Sequence, residues 1–145
     1  MKVEYKKLSP TAKCPQRGSS EAAGYDLFAD ITEEVTIEPF ETKLIGTGVA
    51  VAVPSGYFGG VFARSGLSAK EGLRPANCTG VIDADYRGEV MVSLHNDSNV
   101  TRTVKPLQKI AQLVILPFLE VEFSETGELS ETVRGANGFG STGTH

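Results

Sequence analysis

The 145-residue chain has no tryptophan and only two cysteines, two histidines and two methionines. Two thiols cannot build the disulfide framework of a small secreted domain, so Cys14 and Cys78 read as reduced thiols of a cytoplasmic protein. With His95 and His145 as the only histidines, and no ligand spacing between the cysteines, no zinc site is spelled out. The longest apolar run, Leu113 to Leu119, is far short of the roughly 20 residues that a membrane helix needs. The first ten residues carry lysines but no apolar stretch, so no signal peptide is read and no membrane partner is expected. There is no excess of positive charge either. Fourteen basic residues against 18 acidic ones give a net charge of -4, which argues against a nucleic-acid partner but leaves room for a local basic pocket for a small polyanion. Finally, no helical period runs over ten or more residues.

What the chain has is short alternating segments punctuated by glycine and proline. Lys2–Lys7, Gly24–Ala29, Val35–Ile37, Lys43–Val53, Tyr57–Ala63, Val90–His95, Thr101–Val104 and Ile110–Phe118 read as strands, with Glu120–Phe123 as an extension of the last. Ser9–Ser20 reads as a loop and Leu67–Glu71 as the single helical turn. Val81–Ile82 and Val90–Leu94, on either side of a polar turn, predict a β-hairpin. The fold class is therefore all-β, a jelly-roll-like distorted barrel or sandwich over residues 1–123. Residues 124–145 form a flexible C-terminal arm, because the glycines after Arg134 make a strand or helix expensive there.

Several side chains sit oddly for a purely structural role. Asp83, anchored by the apolar pair Val81–Ile82, either bonds its own backbone or serves as a held carboxylate able to deprotonate a water. Arg64-Ser65-Gly66 opens the helical turn, either as a plain turn with a surface arginine or as a phosphate seat. Gln112, an amide within an apolar strand, must find a backbone partner or face a ligand. Asp26, between Tyr25 and Leu27, caps a neighbour or meets a hydrated cation. The run from Arg134 to Gly143 mimics part of a P-loop, but the lysine, the preceding strand and the following helix are missing. Phe139 within it is either part of a disordered end or a lid for a planar ligand.

Five segments, in order, resemble the motifs of the trimeric dUTPase family. They are Ala23-Gly24-Tyr25-Asp26-Leu27, Arg64-Ser65-Gly66-Leu67, Gly80 to Gly88, Ile110-Ala111-Gln112-Leu113, and Arg134-Gly135 through Phe139-Gly140-Ser141-Thr142-Gly143. The resemblance implies a jelly-roll homotrimer with shared active sites at subunit interfaces. It implies hydrolysis of dUTP to dUMP and pyrophosphate with Mg²⁺, which limits uracil in DNA and supplies dUMP for thymidylate synthesis. By the same resemblance Asp83 is the base that activates water for attack on the α-phosphorus. Gly80, Val81, Ile82, Asp83 and Met91 read uracil through the main chain. Tyr86 packs under the deoxyribose, and Asn77 is a further nucleoside contact. Arg64, Ser65, Gly66 and Gln112 hold phosphate. Asp26 lies near the metal, through water, with Mg²⁺ held mainly by the triphosphate. Arg134, Phe139, Gly140 and Ser141 close over the ligand. The sequence departs from the family pattern at Ala63, where a proline often stands, and at Leu107-Gln108-Lys109, where Gly-Asp-Arg is usual. A dCTP deaminase shares the superfold, but this short chain has no insertion for that chemistry. A pure nucleotide-binding regulator would not need Asp83.

Overall fold

In a computed structural model, which describes residues 1–138, the alternation resolves into twelve strands and one helix. In chain order these are β1 (Glu4–Lys7), β2 (Gln16–Arg17), β3 (Tyr25–Phe28), β4 (Val35–Ile37), β5 (Thr42–Gly46), β6 (Val49–Ala52), β7 (Tyr57–Phe62), α1 (Ser65–Glu71), β8 (Leu73–Pro75), β9 (Thr79–Ile82), β10 (Met91–Asn96), β11 (Arg102–Val104) and β12 (Lys109–Pro117). Every ladder is antiparallel. A five-stranded sheet runs β2-β3-β12-β7-β9 and a three-stranded sheet β5-β10-β8, with two-stranded ladders β1-β6 and β11-β4. The fold is a jelly-roll of strands. No ladder closes on itself among the described residues, so the barrel half of the expectation gives way to open sheets packed face to face.

Period-2 burial is clearest in β10, where Val92, Leu94 and Asn96 turn inward and Met91, Ser93 and His95 outward. In the large sheet, Val61, Ile82 and Leu113 share the core face. Ile37, Leu73, Leu94 and Ile110 fill the centre, fully buried.

Asn96 is the one buried amide there. Its NH₂ donates to the carbonyls of Ile37, Glu38 and Val100 at 3.0, 3.2 and 2.9 Å, and its Oδ1 accepts from the Ser98 N–H and hydroxyl at 3.0 and 2.7 Å. A side chain so completely satisfied joins β4, β10 and the turn after it without the cost of an orphaned polar group.

Five local expectations are corrected. The proposed hairpin is not one: β9 pairs with β7 and β10 with β5 and β8, so the two strands belong to different sheets. Lys43–Val53 is two strands, broken at Thr47–Gly48, where Gly48 adopts φ +66°. The Ser9–Ser20 loop contains the short β2. Glu120–Phe123 does not extend β12, which ends at Pro117; Leu119, Val121 and Phe123 are exposed. The helix begins two residues earlier than read, at Ser65.

On the outer face of β10, the Arg74 guanidinium grips the Asp97 carboxylate, with Nη2 to Oδ1 at 3.1 Å. His95 Nε2 lies 3.3 Å from the same carboxylate. The arginine holds the Asp97 pKa below the ordinary carboxylate value. A depressed pKa contributes stability that is present above the unfolded-state value and lost as pH falls through the folded one. Asp97→Asn is therefore expected to lower Tm at pH 7, with the difference from wild type shrinking as the pH falls below the ordinary carboxylate range. Thermal scans across pH check this; a gap that stays constant into acid would contradict it.

Candidate active site

The splaying of β9 from β10 leaves a cavity of about 340 Å³ between the two sheets. β9 is the edge of its sheet, so its outer side has no ladder partner. Asn77, Gly80, Val81, Ile82, Asp83, Tyr86 and Met91 all line this space. The turn at Asn77–Cys78 brings the asparagine in: Cys78 takes the left-handed φ of +61°, rare for a non-glycine, and Thr79 N–H donates to the Asn77 carbonyl at 2.6 Å. Ile82 is buried and fixes the backbone ahead of Asp83, whose side chain is exposed. The Asp83 carbonyl accepts from Tyr86 N–H at 3.2 Å, closing the loop. Of the two readings of Asp83, the carboxylate as its own backbone's partner finds no support among the described hydrogen bonds.

A second cavity, of about 260 Å³, opens where β3, β12 and the start of α1 meet. It is lined by Asp26, Arg64, Ser65, Gly66, Lys109 and Gln112, among others. Register explains the gathering. Asp26, Gln112, Phe62 and Thr79 stand opposite one another across β3, β12, β7 and β9, so their side chains share one face. β7 then runs through Ala63 into Arg64. The Gln112 amide donates to the Ala63 carbonyl at 2.9 Å, which is the backbone alternative of the two read for it. It fits because residue 24 is glycine; a Cβ there would lie 2.3 Å from Gln112 Oε1. At Gly66 a Cβ would meet nothing, so the front of the helix is open.

Asp26 is the electrostatic centre of this cavity. Its side chain is 13% exposed, with Arg64 Nε 2.9 Å from Oδ1 and Lys109 Nζ 2.8 Å from Oδ2. Arg64 Nη1 also reaches the Lys109 carbonyl at 3.5 Å. One carboxylate thus orients two cations toward open space, leaving the cavity net positive. The sequence alone gives Lys109 no role. The signal for it was a charged residue opening an apolar strand, in the segment that departs from the family pattern.

A resident metal finds no cage here. Among the described residues no group of three His, Cys, Asp or Glu side chains could hold one. Each Asp26 oxygen already accepts from one cation but retains a lone pair, which suits a water on a metal brought by a ligand. The two cavities share no lining residue. Arg134 reaches neither; it lies on the exposed arm. Phe139, Gly140 and Ser141 lie outside the described residues. No helix among the described residues is long and apolar enough to cross a membrane.

Comparison with known proteins gives this arrangement its context. The dUTPase family model matches residues 11–143. A deoxyuridine 5'-triphosphate nucleotidohydrolase from Nautilia profundicola is 48% identical over 143 residues, covering 99% of each chain. The dUTPase of Staphylococcus bacteriophage 80alpha, solved with dUpNHpp, superimposes with a TM-score of 0.85 at 34% identity and 99% coverage of both chains. A mutant dUTPase from phage phi11 of S. aureus, described with a structural Mg(II) ion, gives a TM-score of 0.81 at 30% identity, over 90% of this chain and 100% of that one. The chain belongs to the dUTPase family. It is accordingly an enzyme of the dUTP diphosphatase class.

The Lys109 geometry makes a specific demand. Lys109→Ala removes one of two cations facing the second cavity and loosens the other. It is expected to raise KM for dUTP about fivefold with a smaller effect on kcat, and to flatten the salt dependence of KM. Steady-state kinetics at two ionic strengths check this; an unchanged KM would place Lys109 outside the binding field.

Proposed function

We propose that the chain hydrolyses dUTP to dUMP and pyrophosphate by Mg²⁺-assisted attack of water on the α-phosphorus, in active sites shared between the subunits of a homotrimer. The observation that carries this reading is that the two cavities share no lining residue. One has the exposed carboxylate and the free strand edge; the other has the cations and the open helix start. Neither alone can both read a base and neutralise a triphosphate, so a complete site joins the first cavity of one subunit to the second of a neighbour.

In the first cavity, the main-chain groups of Gly80 to Asp83 and of Met91 face uracil. Fixed donors and acceptors reject cytosine because a mismatched edge leaves buried groups unpaired, at about 1–3 kcal/mol each. Asn77 contacts the nucleoside, and Tyr86 lies under the sugar, where a 2′-hydroxyl would crowd it. Asp83 orients a water and takes its proton as the oxygen attacks phosphorus. In the second cavity, Arg64, Ser65, Gly66 and Gln112 hold the phosphates, with Asp26 keeping Arg64 and Lys109 in place. Bound Mg²⁺ supplies further charge neutralisation to the phosphate oxygens, and Asp26 would meet it through water. The arm, with Arg134 and Phe139-Gly140-Ser141, covers the bound nucleotide. The product serves thymidylate synthesis, and removing dUTP keeps uracil out of DNA.

Three measurements test this. Asp83→Asn should bind dUTP with near-normal affinity and lose at least about a hundredfold in kcat; in ¹⁸O-water the wild type should label dUMP, and label in pyrophosphate would move the attack to the β-phosphorus. The shared site is tested by complementation. Asp83→Asn and Arg64→Ala, each inactive alone, are unfolded together and refolded as a mixture. If Asp83 and Arg64 serve one site from different subunits, roughly a quarter of the sites regain both residues and activity returns. If both residues came from one chain, the mixture would stay dead.

A further inference from the structure

We propose that Glu89 is a positioning residue for nucleotide selection: it latches the Asp83–Glu89 loop to the bend at Gly46–Val49 and so sets the pose of Tyr86. The proposal rests on the reading of Tyr86 as the residue under the sugar. Glu89 lines the first cavity, but its carboxylate is committed elsewhere, accepting from Gly48 N–H at 2.7 Å. The fit is close. A Cβ at Gly46 would lie 2.6 Å from Glu89 Oε1, so only glycine leaves room for the carboxylate there. Two more bonds tie down the next residue. The Thr47 hydroxyl, 1% exposed, donates to the Val90 carbonyl at 2.5 Å, and Val90 N–H donates to the Val49 carbonyl at 2.8 Å.

The other end of the device is the phenol. Tyr86 is 44% exposed and has no deep apolar seat of its own. Its hydroxyl donates to the Glu89 carbonyl at 2.9 Å. The ring folds over Gly88, where a Cβ would lie 2.4 Å from the hydroxyl oxygen. The ring therefore takes its position from the backbone of residue 89, and that backbone takes its position from the latch. Telling a 2′-hydrogen from a 2′-hydroxyl is a matter of about an ångström of clearance, the scale on which misplacement is costly. Glu89 acts here as an acceptor for an N–H, not as a charge. A glutamine can place an amide oxygen in the same spot.

The test compares full-length wild type with Glu89→Ala, Glu89→Gln, Gly46→Ala and Tyr86→Leu. Each is assayed for kcat/KM on dUTP and on UTP, with Tm recorded. Glu89→Ala should lower the dUTP-over-UTP preference by about tenfold or more. Gly46→Ala, which leaves Glu89 in place but takes its seat, should do the same. Glu89→Gln should keep the preference within about twofold of wild type. If Glu89→Ala and Gly46→Ala lower Tm but leave the preference intact while Tyr86→Leu shifts it, the latch is only structural and the proposal fails. A Glu89→Gln as impaired as Glu89→Ala would overturn it as well, by showing that charge matters. If Tyr86→Leu itself leaves the preference unchanged, the Tyr86 reading fails, and the latch proposal fails with it.

Discussion

The register of β12 is the constraint on which the rest of the molecule depends. This strand is paired along both edges, to β3 and to β7. Because side chains alternate, a slip of one residue would turn Leu113 and Ala111 outward and drive Gln112 into the core. The correct register places Gln112 beside Asp26 on one side and Phe62 on the other. From there Ala63 and Arg64 follow, and Lys109 stands at the strand's start. The cavity around Asp26 is thus a by-product of packing the core face correctly. The irregularity between Lys109 and Ala111 lets the strand turn its basic end toward Asp26 while Ala111 stays buried.

The two cavities use different physics. Around Asp26 the arrangement is electrostatic, and two cations share one carboxylate in a half-open cleft. Such pairs contribute modestly to stability where solvent reaches them, and what they do here is hold two cations at the cavity mouth. Beside β9 the open groups are backbone, because that strand is an edge. An unpaired edge is normally a liability for aggregation. Here it is short and faces a pocket with Tyr86 and Met91 across from it.

Much of this was legible in the residues. Apolar alternation and the lack of a helical period led to an all-β jelly-roll, and the order of five short motifs led to the family. The gathering of Asp26, Arg64 and Gln112 was foreseeable only through the resemblance, since they come from three separate segments. What periodicity could not supply is partnership. Val81–Ile82 and Val90–Leu94 look like the arms of a hairpin because alternation reports which face is buried, not which strand lies alongside. The break at Thr47–Gly48 was hidden by a run of β-favouring residues on either side. Leu119, Val121 and Phe123 alternate like a strand, yet no ladder receives them among the described residues. Lys109 and Glu89 escaped notice because their roles depend on atoms brought from β3 and from the β5–β6 bend.

The ladder order also bears on how such a chain is made. Of the eight strand pairings, only β2 with β3 joins neighbours in sequence. The others close long loops, which makes folding slow relative to proteins built from local contacts. The five-stranded sheet has β12 at its centre, and β12 is the last strand among the described residues. On the ribosome, β3, β7 and β9 are therefore translated well before the strand that joins β3 to β7 exists. Until Pro117 has cleared the exit tunnel, β7 keeps an unpaired flank and much of the apolar surface has nothing to bury it. Closure of the sheet therefore waits, by topology, on its last-made strand, and until then the open flank of β7 is exposed to other chains.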